Sequence, residues 1–221
     1  TADAVLTVDI VEGQKDSPWT ERFFDFTRIE DAAAELLAGL DFNELDLHLG
    51  GLTELSDSAA ASLGGLKDVG QLYLDGLISL SDRGFESLGK VQCGLLSLNA
   101  ITSLSVAAAK IIGEWKTDHD LHLNGLTELS DVAAGNLSEF KGALVLNGIM
   151  ILSDESAENL SKHEGGLILN GLTELSDAAV EILSKHKGYR LDLDGIMELS
   201  DAAAESLSKH EGELCLDDLT E

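Results

Sequence analysis

The side chains in this 221-residue chain best suited to chemistry recur at fixed intervals. Histidines fall at His163, His186 and His210, each directly after a lysine. Aspartates fall at Asp57, Asp82, Asp131, Asp154, Asp177 and Asp201, each directly after a serine. Stacked imidazoles can ligate zinc, and stacked carboxylates can hold calcium. The pattern argues against both. Lys162, Lys185, Lys187 and Lys209 would surround the imidazoles with positive charge, and a histidine in the last turn of a helix is accounted for by the helix dipole. The aspartates form no D-x-D-x-D-G loop, and a carboxylate in the first turn of a helix suits that dipole equally well. Cys93 has no evident histidine partner, and Cys215 lies roughly 24 Å away at strand spacing, beyond disulfide reach. His48 and His122 stand three repeats apart and cannot share one metal. No glycine-rich phosphate loop, nucleophile elbow or H-E-x-x-H is present. The expectation is a non-enzymatic protein with no cofactor, no metal and no catalytic residues.

The elements that carry these rows follow from one period. The tripeptide Leu-x-Leu begins at Leu47, Leu72, Leu96, Leu121, Leu144, Leu167, Leu191 and Leu214, in steps of 23 to 25 residues. A constant period in this range marks a solenoid. Leu-x-Leu alternates as a short strand with both leucines on one face. A glycine follows in most copies (Gly51, Gly76, Gly125, Gly148, Gly171, Gly195) and is expected to supply a positive φ that turns the chain. Ser-Asp then opens a helix as a cap. Ala179, Val180 and Leu183 show the helical spacing of an inward stripe, and Gly142, Gly165, Gly188 and Gly212 stand where a C′ glycine would end it. Glu158/Lys162, Glu181/Lys185 and Glu205/Lys209 are i,i+4 pairs on the outer helix face. One copy cannot bury its own apolar face, whereas stacked copies can, with the strands in a continuous parallel sheet.

The totals agree. Apolar residues are 44% of the chain but aromatics only 5%, so the core must be aliphatic. The net charge of −27 repels phosphate backbones and anionic lipid heads, which disfavours nucleic acid and membrane surfaces. No apolar run is long enough to span a bilayer, so no membrane insertion is expected.

The repeat, L-x-L-x-G-[LI]-x-x-L-S-D-x-x-A-x-x-L, resembles a leucine-rich repeat, most closely the cysteine-containing subfamily, and "LYLDGLISLSDRGFESLG" (72–89) is its best match. The resemblance extends from about Phe23 to the end. Here Leu52, Leu77, Ile101, Leu126, Ile149, Leu172 and Ile196 replace that subfamily's cysteine, and Val106 replaces the Asp of the third copy. The short Ala- and Leu-rich copies also look like those of bacterial repeat proteins. The resemblance implies an α/β, right-handed solenoid with a concave parallel sheet, convex short helices and a protein-recognition surface. It implies no catalysis.

On that reading, residues 1–44 form an N-terminal cap with a divergent first repeat, and 45–221 an array of seven full copies and a truncated eighth. "AVLTVDIV" reads as an extra strand, with Trp19 over the terminal apolar face and Phe23 and Phe26 filling the end of the core. The partner-binding candidates are the strand positions between and beside the leucines: His48, Tyr73, Asp75, Ser97, His122, Val145, Ile168, Arg190 and Asp192. Val145 and Ile168 are expected to be adjacent and exposed. Asn99, Asn124, Asn147 and Asn170, just after the strand, read as a stacked amide ladder. The expected function is a repeat scaffold that binds a protein through this face. Two alternatives remain: a self-associating module that uses the edge at "LCLDDLTE" to form homo-oligomers, and an acidic cation-binding protein.

Overall fold

A computed structural model of the chain describes residues 4–14 and 23–220. Trp19 lies outside the described residues. In chain order the elements are β1 (Val5–Leu6), α1 (Val8–Gly13), β2 (Arg28–Ile29), α2 (Asp31–Ala38), β3 (Leu47–His48), α3 (Asp57–Leu63), β4 (Val69–Tyr73), α4 (Asp82–Leu88), β5 (Cys93–Ser97), α5 (Val106–Gly113), β6 (Asp120–His122), α6 (Asp131–Leu137), β7 (Leu144–Val145), α7 (Asp154–Leu160), β8 (Leu167–Ile168), α8 (Asp177–Leu183), β9 (Arg190–Asp192), α9 (Asp201–Leu207) and β10 (Glu213–Cys215). The strands form an eight-stranded parallel sheet in the order β10-β9-β8-β7-β6-β5-β4-β3, and β1 pairs with β2. Strands alternate with helices throughout, the arrangement of a solenoid-like repeat.

The chain divides into two compact units, Thr1–Thr102 with Trp115–His122 and Ser103–Glu114 with Leu123–Glu221. Register follows the leucines in each. In the first unit Leu47, Leu72, Leu96 and Leu121 lie side by side. In the second, Leu144, Leu167, Leu191 and Leu214 do the same. All of these except the half-buried Leu214 are fully buried. Each buried leucine removes apolar surface worth about 2 kcal/mol from water. The helices bring small residues to the same core, among them Ala59 and Ala60 in α3 and Ala133 and Ala134 in α6, so they lie close to the strands.

Serine begins each helix from α3 to α9. The hydroxyls of Ser56, Ser81, Ser105, Ser130, Ser153, Ser176 and Ser200 each accept the N–H three residues on. Ser105 does so although Val106 follows it, so capping does not need the aspartate.

Two expectations change. No glycine among the described residues has a positive φ. The post-strand glycines are needed for close approach instead: a Cβ at Gly171 would overlap the carbonyl oxygen of Asn147, and one at Gly195 that of Asn170. The glycines after the helices meet the same constraint, because a Cβ at Gly188 would overlap the carbonyl of Gly165. Each repeat thus presses its backbone on the one before. The second change concerns "AVLTVDIV". Only Val5–Leu6 is strand; from Val8 the chain is helical, which buries Val11. In the divergent first repeat Phe23 is buried and Phe26 half-buried.

Candidate functional site

Because side chains alternate along a strand, inward leucines leave their neighbours facing outward. In the first unit His48, Tyr73, Ser97 and His122 form one outward row in register. Gln71, Leu95 and Asp120 form a second. Three aromatic rings meet at the start of the first row, two of them stacked and the third tilted at 36°. His48 lies on Tyr73 with centroids 4.4 Å apart and planes 5° from parallel. Phe24, supplied by the divergent first repeat, covers His48 at 4.9 Å and is itself 50% exposed. The Tyr73 hydroxyl donates to Gln71, which fixes the ring. Beside the stack, Asp75 accepts the Ser97 hydroxyl at 2.5 Å and the Asn99 N–H at 3.2 Å.

Carboxylates gather against this stack. A groove of about 640 Å³ is lined by Glu44, Asp46, Asp68 and Asp120 together with Gln71, Gln92 and Leu95, and no cationic side chain lines it. The field is legible in the neighbouring groups. The Tyr73 phenol is held above its usual range by burial and by the negative charges of Asp46 and Asp75. His122 is pushed down by burial, against the opposing pull of Asp120 and Asp75. Two groove residues have left-handed backbone, Glu44 at φ 65° and Asp68 at φ 53°. Aspartate tolerates this region, but glutamate gains nothing there, at about 1 kcal/mol or more. The Glu44 N–H, donated to the Asp68 carbonyl at 2.7 Å, ties the two turns together.

The second unit differs from expectation. Val145 and Ile168 are adjacent in register, yet Val145 is only 9% exposed and Ile168 half-buried. Ser97 (1%) and Asp192 (3%) are also buried rather than exposed. The reason is common to all three: neighbours one strand spacing away wall in a short side chain on this face. Asp192 is further covered by Arg190, whose Nε and Nη2 donate to its two oxygens at 2.7 and 2.8 Å. Arg190 and Asp192 therefore satisfy one another.

The recurring polar rows bind repeat to repeat. Asp57 accepts the hydroxyl of Ser81 and Asp131 that of Ser153, both at 2.5 Å; Asp154 accepts from Ser176 at 2.6 Å and Asp177 from Ser200 at 2.7 Å. Each of these serines also caps a helix. Bonds from Ser153 and Ser156 hold Asp131 below the usual carboxylate range. The asparagine row is a ladder, but of side chain to backbone. Asn124 Oδ1 accepts the Asn147 N–H at 3.0 Å, Asn147 that of Asn170 at 2.9 Å, and Asn170 that of Asp194 at 3.1 Å. Only an oxygen is required, which is why Asp194 continues the row by accepting from Asp217.

Two members of the histidine row, His163 and His186, are buried and His210 is half-buried, which corrects the helix-dipole reading for the buried pair. His163 and His186 stack at 6.1 Å, and His186 and His210 at 6.2 Å. Nearly parallel rings at that distance do not converge their nitrogens on one ion. One nitrogen of each meets a carbonyl of the preceding repeat: Ser138, Gly165 and Ser184. Burial pushes His186 down to about 4 and lowers His163. With their protons disfavoured, His163 and His186 have little charge to offer a dipole; their role is packing and one hydrogen bond each. The two thiols are equally subdued. Burial pushes Cys93 up to about 12, and Asp192 raises Cys215 to about 11, so neither is a ready thiolate. Among the described residues no group of three or more His, Cys, Asp or Glu side chains is placed to hold a metal ion. Nor is any helix among them long and apolar enough to cross a membrane.

Sequence reasoning found His48, Tyr73, Asp75 and His122, which the structure brings onto one face. It missed Phe24, Glu44, Asp46, Asp68 and Asp120. One signal for Phe24 was present: aligning Phe26 with Leu52 gives it the outward parity of Gly50, which has no side chain to compete for the space. Of the groove carboxylates, Asp46 and Asp120 stand at the position before the first leucine of the strand, which Gln71 and Leu95 fill in other copies, whereas Glu44 and Asp68 come from the turns that lead into the strands. No protein-family model matches the chain, and no curated protein matches its sequence.

Proposed function

We propose that the protein is a non-enzymatic repeat scaffold that binds another protein through its outward strand face. The observation that carries this is the aromatic cluster in which His48 stacks on Tyr73 and Phe24 covers His48. Aromatic rings in a small aliphatic-core protein would be expected inside it, yet here they lie half-open on a sheet. Aromatic side chains on a polar-rimmed surface are characteristic of protein interfaces. The resemblance of the repeat to leucine-rich repeats supports the same reading. So do the polar rows, which are spent on joining repeats, and the protonated thiols, which leave little for covalent chemistry.

Site-specific photocrosslinking tests it. A benzophenone amino acid in place of Tyr73 or His122 should trap a partner in extracts, whereas the same group in place of the exposed helix residue Val132 should not. Crosslinks confined to position 132 would remove the strand face from contention.

A further inference from the structure

We propose, resting on the reading above, that the strand face of the first unit takes an extended, arginine-bearing segment of a protein partner. The aromatic stack makes this a docking surface, and charge complementarity selects the occupant. Glu44, Asp46, Asp68 and Asp120 line a groove without a single cationic side chain. Gln71, which lines the groove, accepts the Tyr73 hydroxyl, and Asp46 of the groove acts electrostatically on that ring together with Asp75 beside it, so the groove adjoins the rings. The chain as a whole carries −27, so an acidic or neutral segment gains no steering toward this face.

Arginine fits the pair of features better than lysine. A planar guanidinium stacks on aromatic rings while its N–H fork reaches carboxylates, and it is less strongly hydrated than an ammonium. The face also sets a length. Strands β3 to β6 carry the row His48, Tyr73, Ser97 and His122 over about 14 Å, of which all but the buried Ser97 are accessible. An extended peptide covers that distance with roughly four or five residues and places alternate side chains toward the sheet. The segment therefore carries arginines at every second position. Ser97 is buried between Tyr73 and His122 under its bonds to Asp75 and Asn99, so the segment meets the rings on either side of it and not Ser97 itself.

The probe is the peptide Gly-Arg-Gly-Arg-Gly-Arg-Gly-Arg, titrated into the full chain beside its lysine and glutamate counterparts and spermine. The arginine peptide should bind most tightly and shift the His48 and Tyr73 side-chain resonances. Neutralising the groove isosterically (Glu44→Gln, Asp46→Asn, Asp68→Asn together) should weaken it about tenfold or more. Tyr73→Ala should weaken it about fivefold. The control triple Glu155→Gln, Glu174→Gln, Glu198→Gln removes as much charge from exposed positions of the second unit and should change affinity less than about twofold. Equal weakening by the control triple, indifference to Tyr73→Ala, or spermine matching the peptide would each overturn the proposal. The resonance shifts on the unaltered chain decide the case should a variant fail to fold. Crosslinking at position 73 to a partner without a basic segment would sink this inference and leave the scaffold reading intact; no crosslink on the strand face would sink both.

Discussion

The buried histidines of the second unit, His163 and His186, make the protein sensitive to acid. His186 is 3% exposed and sits between His163 and His210, with a carbonyl bond to Gly165 at 3.1 Å. Burial is the largest cause of its low pKa of about 4, followed by repulsion from His163. In the unfolded chain the same imidazole takes up its proton near 6.5. Between those two values the unfolded state binds more protons than the folded one, so stability falls as the pH falls. The contribution is fully present above pH 6.5 and is lost progressively down to about 4. The gap corresponds to about 3 kcal/mol at the acid end, and about 2 kcal/mol is already gone at pH 5. Carboxylates also titrate on the acid side, some relieving self-repulsion in a chain of −27 and some, such as the hydrogen-bonded Asp131, losing stability as they protonate, so the net slope of the wild type alone is not diagnostic.

A comparison isolates the histidine. His186→Leu keeps an apolar side chain at the site and removes the titration. Urea unfolding of both proteins from pH 7.5 to 5 should show the wild type losing about 2 kcal/mol relative to the variant over that interval. Imidazole NMR gives the direct reading: the His186 ring should stay neutral to near pH 4. Charged groups facing the stack include Lys185, Lys187 and Glu211, exposed at the rim, and salt screens these far more than it changes burial. The midpoint should therefore move little between low and high salt. A midpoint at or above pH 6, or parallel stability curves, would refute the reasoning.

Three substitutions probe how the repeats are joined. Asn147→Leu leaves the buried-side N–H of Asn170 without its acceptor and should lower stability by about 1–3 kcal/mol, whereas Asn147→Asp keeps the oxygen and should lie within about 1 kcal/mol of wild type in thermal unfolding. Gly171→Ala forces a Cβ into the Asn147 carbonyl and should cost more than about 3 kcal/mol, while Gly135→Ala in α6, where the nearest heavy atom would be 3.5 Å away, should be neutral or stabilising by up to about 1 kcal/mol. Ser176→Ala removes both the α8 cap and the donor to Asp154 and should destabilise by about 1–2 kcal/mol in urea melts; Ser208→Ala, whose hydroxyl donates locally to the Glu205 carbonyl, should stay within about 0.5 kcal/mol.

What was legible in the sequence, and what was not, divides along a physical line. A residue whose partner is the same position in the next copy must recur, because every copy presents the same neighbour. Leu72, Asn147, Ser176 and Asp177 are of this kind, and their strand, rung and cap positions followed from the period alone. Glycine recurrence was equally visible, but its cause was not: φ freedom and close approach select the same residue, and only the Asn147 carbonyl beside Gly171 separates them. The histidines show the same ambiguity, since a helix terminus and a buried stack both select imidazole, and depth alone distinguishes them. Burial on the strand face was misjudged for a related reason. Parity places Val145, Ser97 and Asp192 outward, yet outward on a short-sided parallel sheet still leaves a small side chain walled in by its neighbours. A binding residue obeys the opposite rule, because its partner lies outside the array and need not repeat. His48 and Tyr73 occupy a position filled elsewhere by Ser97, Val145 and Ile168, and Phe24 stands where the next copy has Gly50. In a repeat chain the departures that retain exposure are therefore where recognition is to be sought. Here they converge on one face of the first unit, where the aromatic rings adjoin a groove lined by carboxylates.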